Sequence, residues 1–231
     1  WMISQYTDPL VNIGPNGKLY PGLATDWEFS QGGKVWTFYL REGVNFHDGT
    51  PWNAEAMKKN IERVMSPEIK SKNFALILND LESVEVIDSM TVKLTFETPR
   101  PQLALQLSEQ GAGWLSPTAF ENPENEETDQ KCVGTGPWVL KNENYQSRVV
   151  FEKNPDYSWG PEYMDHQGPP YIDKVVWRFI PEDQTRLTAL TSGEVDLITN
   201  VPPASANTVR DNQDLKISVE TRPGIGRAFH L

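Results

Sequence analysis

The chain has 231 residues, 38% of them hydrophobic and 23% charged, enough to build a core without covalent staples. A formal net charge of −11 argues against nucleic acid as a partner, because binding a polyanion depends on a Lys/Arg surface. No run reaches the roughly 18 apolar residues of a membrane span, and Cys132 is the lone cysteine, so no internal disulfide is possible.

In chain order, Gln31 to Lys34 reads as a turn leading into a strand. There Trp36, Phe38 and Leu40 face one way and Val35, Thr37 and Tyr39 the other. Apolar residues in both sets predict that both faces are covered. Asn53 is placed to N-cap a helix carrying Ala54, Met57, Ile61, Val64 and Met65 on one stripe, with Glu55 in its first turn and Pro67 ending it. Glu82 to Ile87 and Thr91 to Glu97 predict a hairpin around Asp88-Ser89-Met90, and Leu103 to Glu109 a short helix. The acidic run from Glu121 to Lys131 reads as a solvated loop.

A second hairpin is expected from Trp138-Val139-Leu140 and Arg148 to Glu152, then turn-rich stretches at 154–161 and 167–170. Ile172 to Ile180 reads as a strand, Asp183 as the cap of a helix with Leu187 and Leu190 inward, and Gly193 as its left-handed stop. Val195 to Thr199 and Leu215 to Thr221 read as strands, with a short helix from Pro203 to Arg210 between them. Strands mixed with short helices, without a strict βαβ alternation, predict a mixed α/β sheet protein. Trp36, Phe38, Leu94 and Trp177 are expected in its core.

The chemistry-bearing residues give little sign of catalysis. No nucleophile-elbow, zinc-protease, phosphate-loop or dinucleotide motif occurs. Gly134-Thr135-Gly136 comes close to the last of these, but Val139 stands at the third glycine position and a strand follows, so a tight structural turn is the better reading. His47, His166 and His230 are scattered and read as turn or surface residues rather than metal ligands. Glu194-x-Asp196 is a solvated pair, and nothing near Cys132 activates it. No cofactor, no metal and no enzymatic activity are expected. Of the eight tryptophans, Trp27, Trp36, Trp138 and Trp177 read as core; Trp114, in the Gly-rich stretch Gly111 to Pro117, is the one placed to touch a ligand.

Two phrases carry a family resemblance. The first is Leu19-Tyr20-Pro21-Gly22-Leu23-Ala24-Thr25-Asp26-Trp27-Glu28, continued by Trp36 to Arg41 and Gly43-Val44-Asn45-Phe46-His47-Asp48-Gly49-Thr50-Pro51; the second is Val133-Gly134-Thr135-Gly136-Pro137-Trp138. In this order they resemble the extracytoplasmic solute-binding proteins of ABC importers, family 5, whose members take peptides, oligopeptides or nickel. The resemblance implies a type II periplasmic-binding-protein lobe, with residues 1–126 mainly its small subdomain and 127–231 the central part of its main domain. It also implies a longer protein: the chain starts at Trp1 with no secretion signal, and Gly226 to Leu231 alternates like the start of a strand toward a second lobe.

Such a protein closes on its solute between two lobes. The resemblance assigns Asn200 and the strand Gly224-Ile225-Gly226-Arg227 to the solute, held largely through main-chain hydrogen bonds, with the groups for peptide termini coming mostly from the second lobe. The implied partners are a peptide or other small solute and the permease subunits. The implied location is periplasmic or at the cell surface, free or lipid-anchored. An oligosaccharide- or nickel-binding member is the alternative within the family. Outside it, a secreted hydrolase and a regulatory module that borrowed the fold are the alternatives.

Overall fold

In the computed structural model, which describes residues 3–67, 72–108, 113–122, 132–144, 147–199 and 201–216, the chain divides into two compact units, 1–177 and 178–231. A one-turn helix α1 (Ile3–Tyr6) precedes a small antiparallel ladder of β1 (Val11–Ile13) and β2 (Leu19–Pro21). Strands β3 (Ala24–Ser30), β4 (Val35–Leu40), β5 (Leu81–Asp88) and β6 (Thr91–Phe96) then form an antiparallel sheet in the order β3-β4-β6-β5. The register sets Trp36 beside Leu94 and Phe38 beside Val92, so the alternating apolar residues of both strands fall on one face and are buried. Trp36 stacks on Phe38 at 5.9 Å between ring centroids, and its Nε1 donates to Gly33 O at 3.1 Å.

The other face of this sheet differs from expectation. Tyr39 is exposed and donates to Glu28 Oε1 at 2.8 Å, and Lys93 pairs with Glu85 at 2.7 Å. Polar cross-strand pairs of this kind are satisfied in water, so the face needs no cover. At the β5–β6 turn, Asp88 Oδ1 accepts from Met90 N–H at 2.8 Å, which is why these residues close a hairpin.

Helix α2 (Ala54–Met65) starts where Asn53 caps it, the side chain accepting from Ala56 N–H. Met57, Ile61 and Val64 are buried; Met65, expected with them, is exposed at the final helical position. Asn60 on the same helix is buried and grips an extended segment: its Oδ1 accepts from Leu115 N–H at 3.0 Å and its Nδ2 donates to Leu115 O at 2.8 Å. Short helices α3 (Lys72–Ile77), α4 (Leu103–Gln106) and α5 (Pro117–Glu121) complete this part, with Phe74, Leu103 and Ala119 buried. Helix α4 ends before its expected limit, and Glu109 lies outside the described residues, as does most of the acidic run.

Strands β7 (Trp138–Asn144), β8 (Arg148–Lys153) and β9 (Lys174–Arg178) form a further sheet in that order. Trp138 and Trp177, expected in the core, are half-buried, as is Trp27. Trp177 stands on β9, an edge strand of its sheet, where one flank has no neighbouring strand among the described residues. Tyr157 and Trp159, beyond β8, join the same hydrophobic core as Trp36 and Leu94. Residues on both sides of the 126/127 position thus share one hydrophobic core.

In the second unit, α6 (Asp183–Thr191) buries Leu187 and Ala189, while Leu190 is half-buried. Asp183 is the first helical residue rather than the cap, a place held by Glu182; the Asp183 carboxylate instead pairs with Arg186. Gly193 takes φ +74° after the helix, the left-handed stop that the sequence predicts. Glu194 is ion-paired with Arg178 at 2.7 Å. The expected strand at 195–199 is irregular, and Leu197 is exposed. Alternation makes a strand only beside a backbone that supplies a ladder, and none of the described residues pairs with it. A 3₁₀ turn and α7 (Ala206–Arg210) occupy the expected helical stretch, while 217–221 lie outside the described residues.

Burial on one sheet face and exposure on the other give a direct test. Phe38→Ala should lower stability by about 3–5 kcal/mol, the usual cost of emptying a packed aromatic site. Thr37→Ala, on the open face, should change it by about 0.5 kcal/mol or less. Urea denaturation followed by circular dichroism reads both.

Candidate ligand cleft

The first unit contains a cleft of about 320 Å³ beside α1 and β1. Ser4, Thr7 and Asp8 line it from α1 and the residues after it, Asn12 and Ile13 from β1, and Ser108 and Gly113 from the chain around α4. Pro137, Tyr157, Pro161 and Tyr163 close the remaining side. The described lining thus offers hydroxyls, an amide, two phenols and one carboxylate, with proline and isoleucine as apolar wall, and no Lys or Arg. Tyr163 is braced by an edge contact with Tyr20 of β2, 5.2 Å between centroids.

Asp8 ties the cleft to the fold. Its Oδ2 accepts from Thr135 Oγ1 and from Trp159 Nε1, both at 2.9 Å, and its Oδ1 accepts from the Tyr157 hydroxyl at 3.0 Å. Burial pushes the Asp8 carboxyl above its ordinary value, while the bonds from Trp159, Thr135 and Tyr157 and the charge of Arg41 pull it back. Burial, and then the neighbouring Asp8 charge, hold the Tyr157 phenol protonated far above its usual range.

Directly behind α1 the two family-like phrases meet. Gly136 N–H donates to Tyr6 O at 3.0 Å. A Cβ on Gly134 would lie 1.9 Å from Tyr6 O, and one on Gly136 2.6 Å from Tyr6 C, so only glycine lets this loop reach the helix. From the other phrase, His47 N–H donates to Gly134 O at 2.9 Å and His47 Nε2 lies 2.9 Å from Gly136 O. Ser116 Oγ donates to Asp48 Oδ2, and Asn154 Nδ2 donates to Gly136 O at 3.2 Å. The Gly-Thr-Gly turn is thus a packing joint and holds no nucleotide.

The expected site residues fare differently. Trp114 is fully buried among Trp52 and Phe74, at 5.5 and 5.2 Å between centroids, and has no face left for a ligand. The Gly-rich stretch before it suggested exposure, but the alternation around it turns the indole inward and leaves Gly113 at the cleft. Asn200, Gly224, Ile225, Gly226 and Arg227 lie outside the described residues. Asp8, Tyr157 and Tyr163 carry no local signal as site residues, since their partners are more than a hundred positions away or sit in Gly/Pro-rich turns. His47 reads as a turn histidine in the sequence; it does sit in a turn, but partly buried and bonded across to the glycines. Among the described residues no three His, Cys, Asp or Glu side chains come together as a metal-ligand set.

Residues 18–229 match the family described as bacterial extracellular solute-binding proteins, family 5. The chain belongs to this family. Among curated relatives of this family 5 chain, the nickel-binding periplasmic protein of Escherichia coli (strain K12) is 30% identical over 196 residues, covering 84% of the chain and 36% of that protein. A glutathione-binding protein of the same strain is 32% identical over 208 residues, covering 90% and 39%. The chain therefore spans less than half the length of these relatives.

Solved structures agree on the fold. The ABC transporter-associated periplasmic binding protein DppA of Helicobacter pylori, in complex with the peptide STSA, superposes with TM-score 0.77 at 28% identity, covering 90% of the chain and 43% of that protein. NikA of Brucella suis, in complex with Fe(III)-EDTA, gives 0.78 at 30% identity, covering 90% and 41%. The mixed sheets are those of a periplasmic-binding-protein lobe.

The Asp8 cluster yields a prediction with a sign. Asp8→Ala leaves buried donors on Thr135, Tyr157 and Trp159 without an acceptor and should cost about 3 kcal/mol or more, at roughly 1–3 kcal/mol per orphaned group. The native state takes up the Asp8 proton more readily than the unfolded chain, whose value is 3.8. The Asp8 contribution to stability is therefore present at low pH and lost as pH rises through the native value. Relative to Asp8→Asn, wild type should gain stability between about pH 7 and about pH 4, read from urea midpoints across that range.

Proposed function

We propose that this chain is part of the first lobe of the substrate-binding component of an ABC importer. It would capture peptides or peptide-like solutes outside the cytoplasmic membrane and deliver them to the permease without chemical change. The observation that carries this reading is the family match over nearly the whole chain together with a polar cleft of about 320 Å³ in the first unit. Peptide is favoured as the solute class because one structural neighbour holds the peptide STSA and one relative is named for glutathione, itself a tripeptide. The lining supports it too: hydroxyls, an amide and two phenols suit the alternating donors and acceptors of a peptide main chain. Lacking Lys and Arg among its described residues, this wall suits a neutral or cationic part of the solute. Asn200 and Gly224 to Arg227 are proposed to contact the solute as well.

A nickel complex is the second reading, favoured by the nickel-binding relative. Calorimetry on the full-length protein with trialanine, glutathione and nickel–histidine separates the two. Saturable binding of trialanine or glutathione is expected, with the peptide recovered intact by mass spectrometry. Asn200→Ala should weaken it by roughly 3- to 10-fold, the worth of one hydrogen bond. Binding of nickel–histidine alone would replace the peptide reading, and cleaved peptide would overturn the receptor reading.

A further inference from the structure

His47 touches both glycine carbonyls of the loop behind α1, through its own N–H to Gly134 O and through Nε2 to Gly136 O, each at 2.9 Å. A carbonyl only accepts, so Nε2 carries the proton. Nδ1 is buried with no hydrogen-bond partner among the described residues. A bare nitrogen there forgoes one weak bond, whereas an N–H on a charged ring would be a buried donor with nothing to receive it. The site therefore selects the neutral ring. The loop that His47 holds is itself seated on α1, where Gly136 N–H bonds Tyr6 O and neither glycine leaves room for a side chain. Ser4, Thr7 and Asp8, on either side of Tyr6, line the cleft.

We propose that His47 is a positioning residue for the solute cleft: its neutral ring fixes the Gly134–Gly136 loop, and that loop fixes the α1 wall. This rests on the cleft being the solute wall, as argued under the function above. Burial lowers the His47 pKa, with Lys141 of β7 acting in the same direction; the Gly136 carbonyl and the Asp48 charge from its own turn oppose it. Asp48 is in turn occupied by Ser116 and by the N–H of Thr50. Protonation at acid pH gives Nδ1 a proton with no acceptor, so the ring must leave its seat and the loop with it. The wall then loosens while the β4–β6 sheet, closed by its own ladder, stays closed.

The test uses the full-length protein, with His47→Gln, whose amide can still donate to Gly136 O but does not titrate, and His47→Ala. Hydrogen exchange of the Thr7 and Gly136 amides, which bond Ile3 O and Tyr6 O, reads the wall; amides of the β4–β6 ladder serve as control. Between about pH 7.5 and about pH 4.5, corrected for intrinsic rates, wild type should lose protection at Thr7 and Gly136 by about tenfold more than in the ladder. His47→Gln, in which Asp8 still titrates against Thr135, should show no such loss on acidification, and His47→Ala should be loosened at both ends.

Protection in wild type that is unchanged with pH, or lost equally in the ladder, overturns the proposal. So does a His47→Gln protein that keeps the wild-type pH dependence, and this comparison decides even where His47→Ala fails to fold. Trialanine affinity is measured alongside, and it should fall with pH in wild type and hold in His47→Gln. Exchange is read without solute, so the expected exchange pattern with no trialanine binding at any pH supports the role of His47 and retires the peptide reading instead.

Discussion

One buried carboxylate organises the first unit. Removing Asp8 from water is costly, and Thr135, Tyr157 and Trp159 offset part of that cost by donating to it. Those donors sit 127 to 151 residues away along the chain. Satisfying the one group therefore closes the polypeptide on itself, carrying the β7–β8 hairpin and the turn after it against α1. The cleft is a by-product of that closure, since Asp8, Tyr157 and the residues flanking them form its floor and one side.

The motifs that mark the family turn out to be joints. The Phe46-His47-Asp48-Gly49 turn, the Gly134-Thr135-Gly136 loop and the Asp8 region interlock through backbone amides and carbonyls together with the His47 ring and the Asp8 carboxylate. Each glycine in the loop is required by a neighbour too close for any Cβ. A signature of this kind points to a scaffold, and the relatives that match this chain include one named for nickel and one named for glutathione. What each protein holds must then be settled by the groups placed around that scaffold.

The sheet and the main helix were legible because their information is local. Alternation set the buried face of β4 and β6, Asn53 and Pro67 bounded α2, and Gly193 marked the end of α6. Where partners were remote, reading failed. Nothing near Asp8 announces a buried carboxylate, and nothing near Tyr157 says that its hydroxyl faces one. Trp114 misled for a related reason: glycines beside it suggested a mobile, open stretch, yet an indole of that size is worth most when enclosed, and Phe74 and Trp52 enclose it. The segment 195–199 had a strand's pattern without a strand's neighbour, and pattern alone could not supply the ladder.

The two-way bond between Asn60 and the backbone of Leu115 bears on the far side of the cleft. One amide there imitates a neighbouring strand, offering an acceptor and a donor to the same residue. A slip of α2 by a single residue would displace that amide by about 1.5 Å along the axis and break both bonds at once. Gly113, two positions before Leu115, is thereby indexed to the helix. The cleft thus has one margin gauged by a rigid rod, and the spacing between that margin and β1 is copied faithfully from molecule to molecule, as a binding pocket's ruler must be.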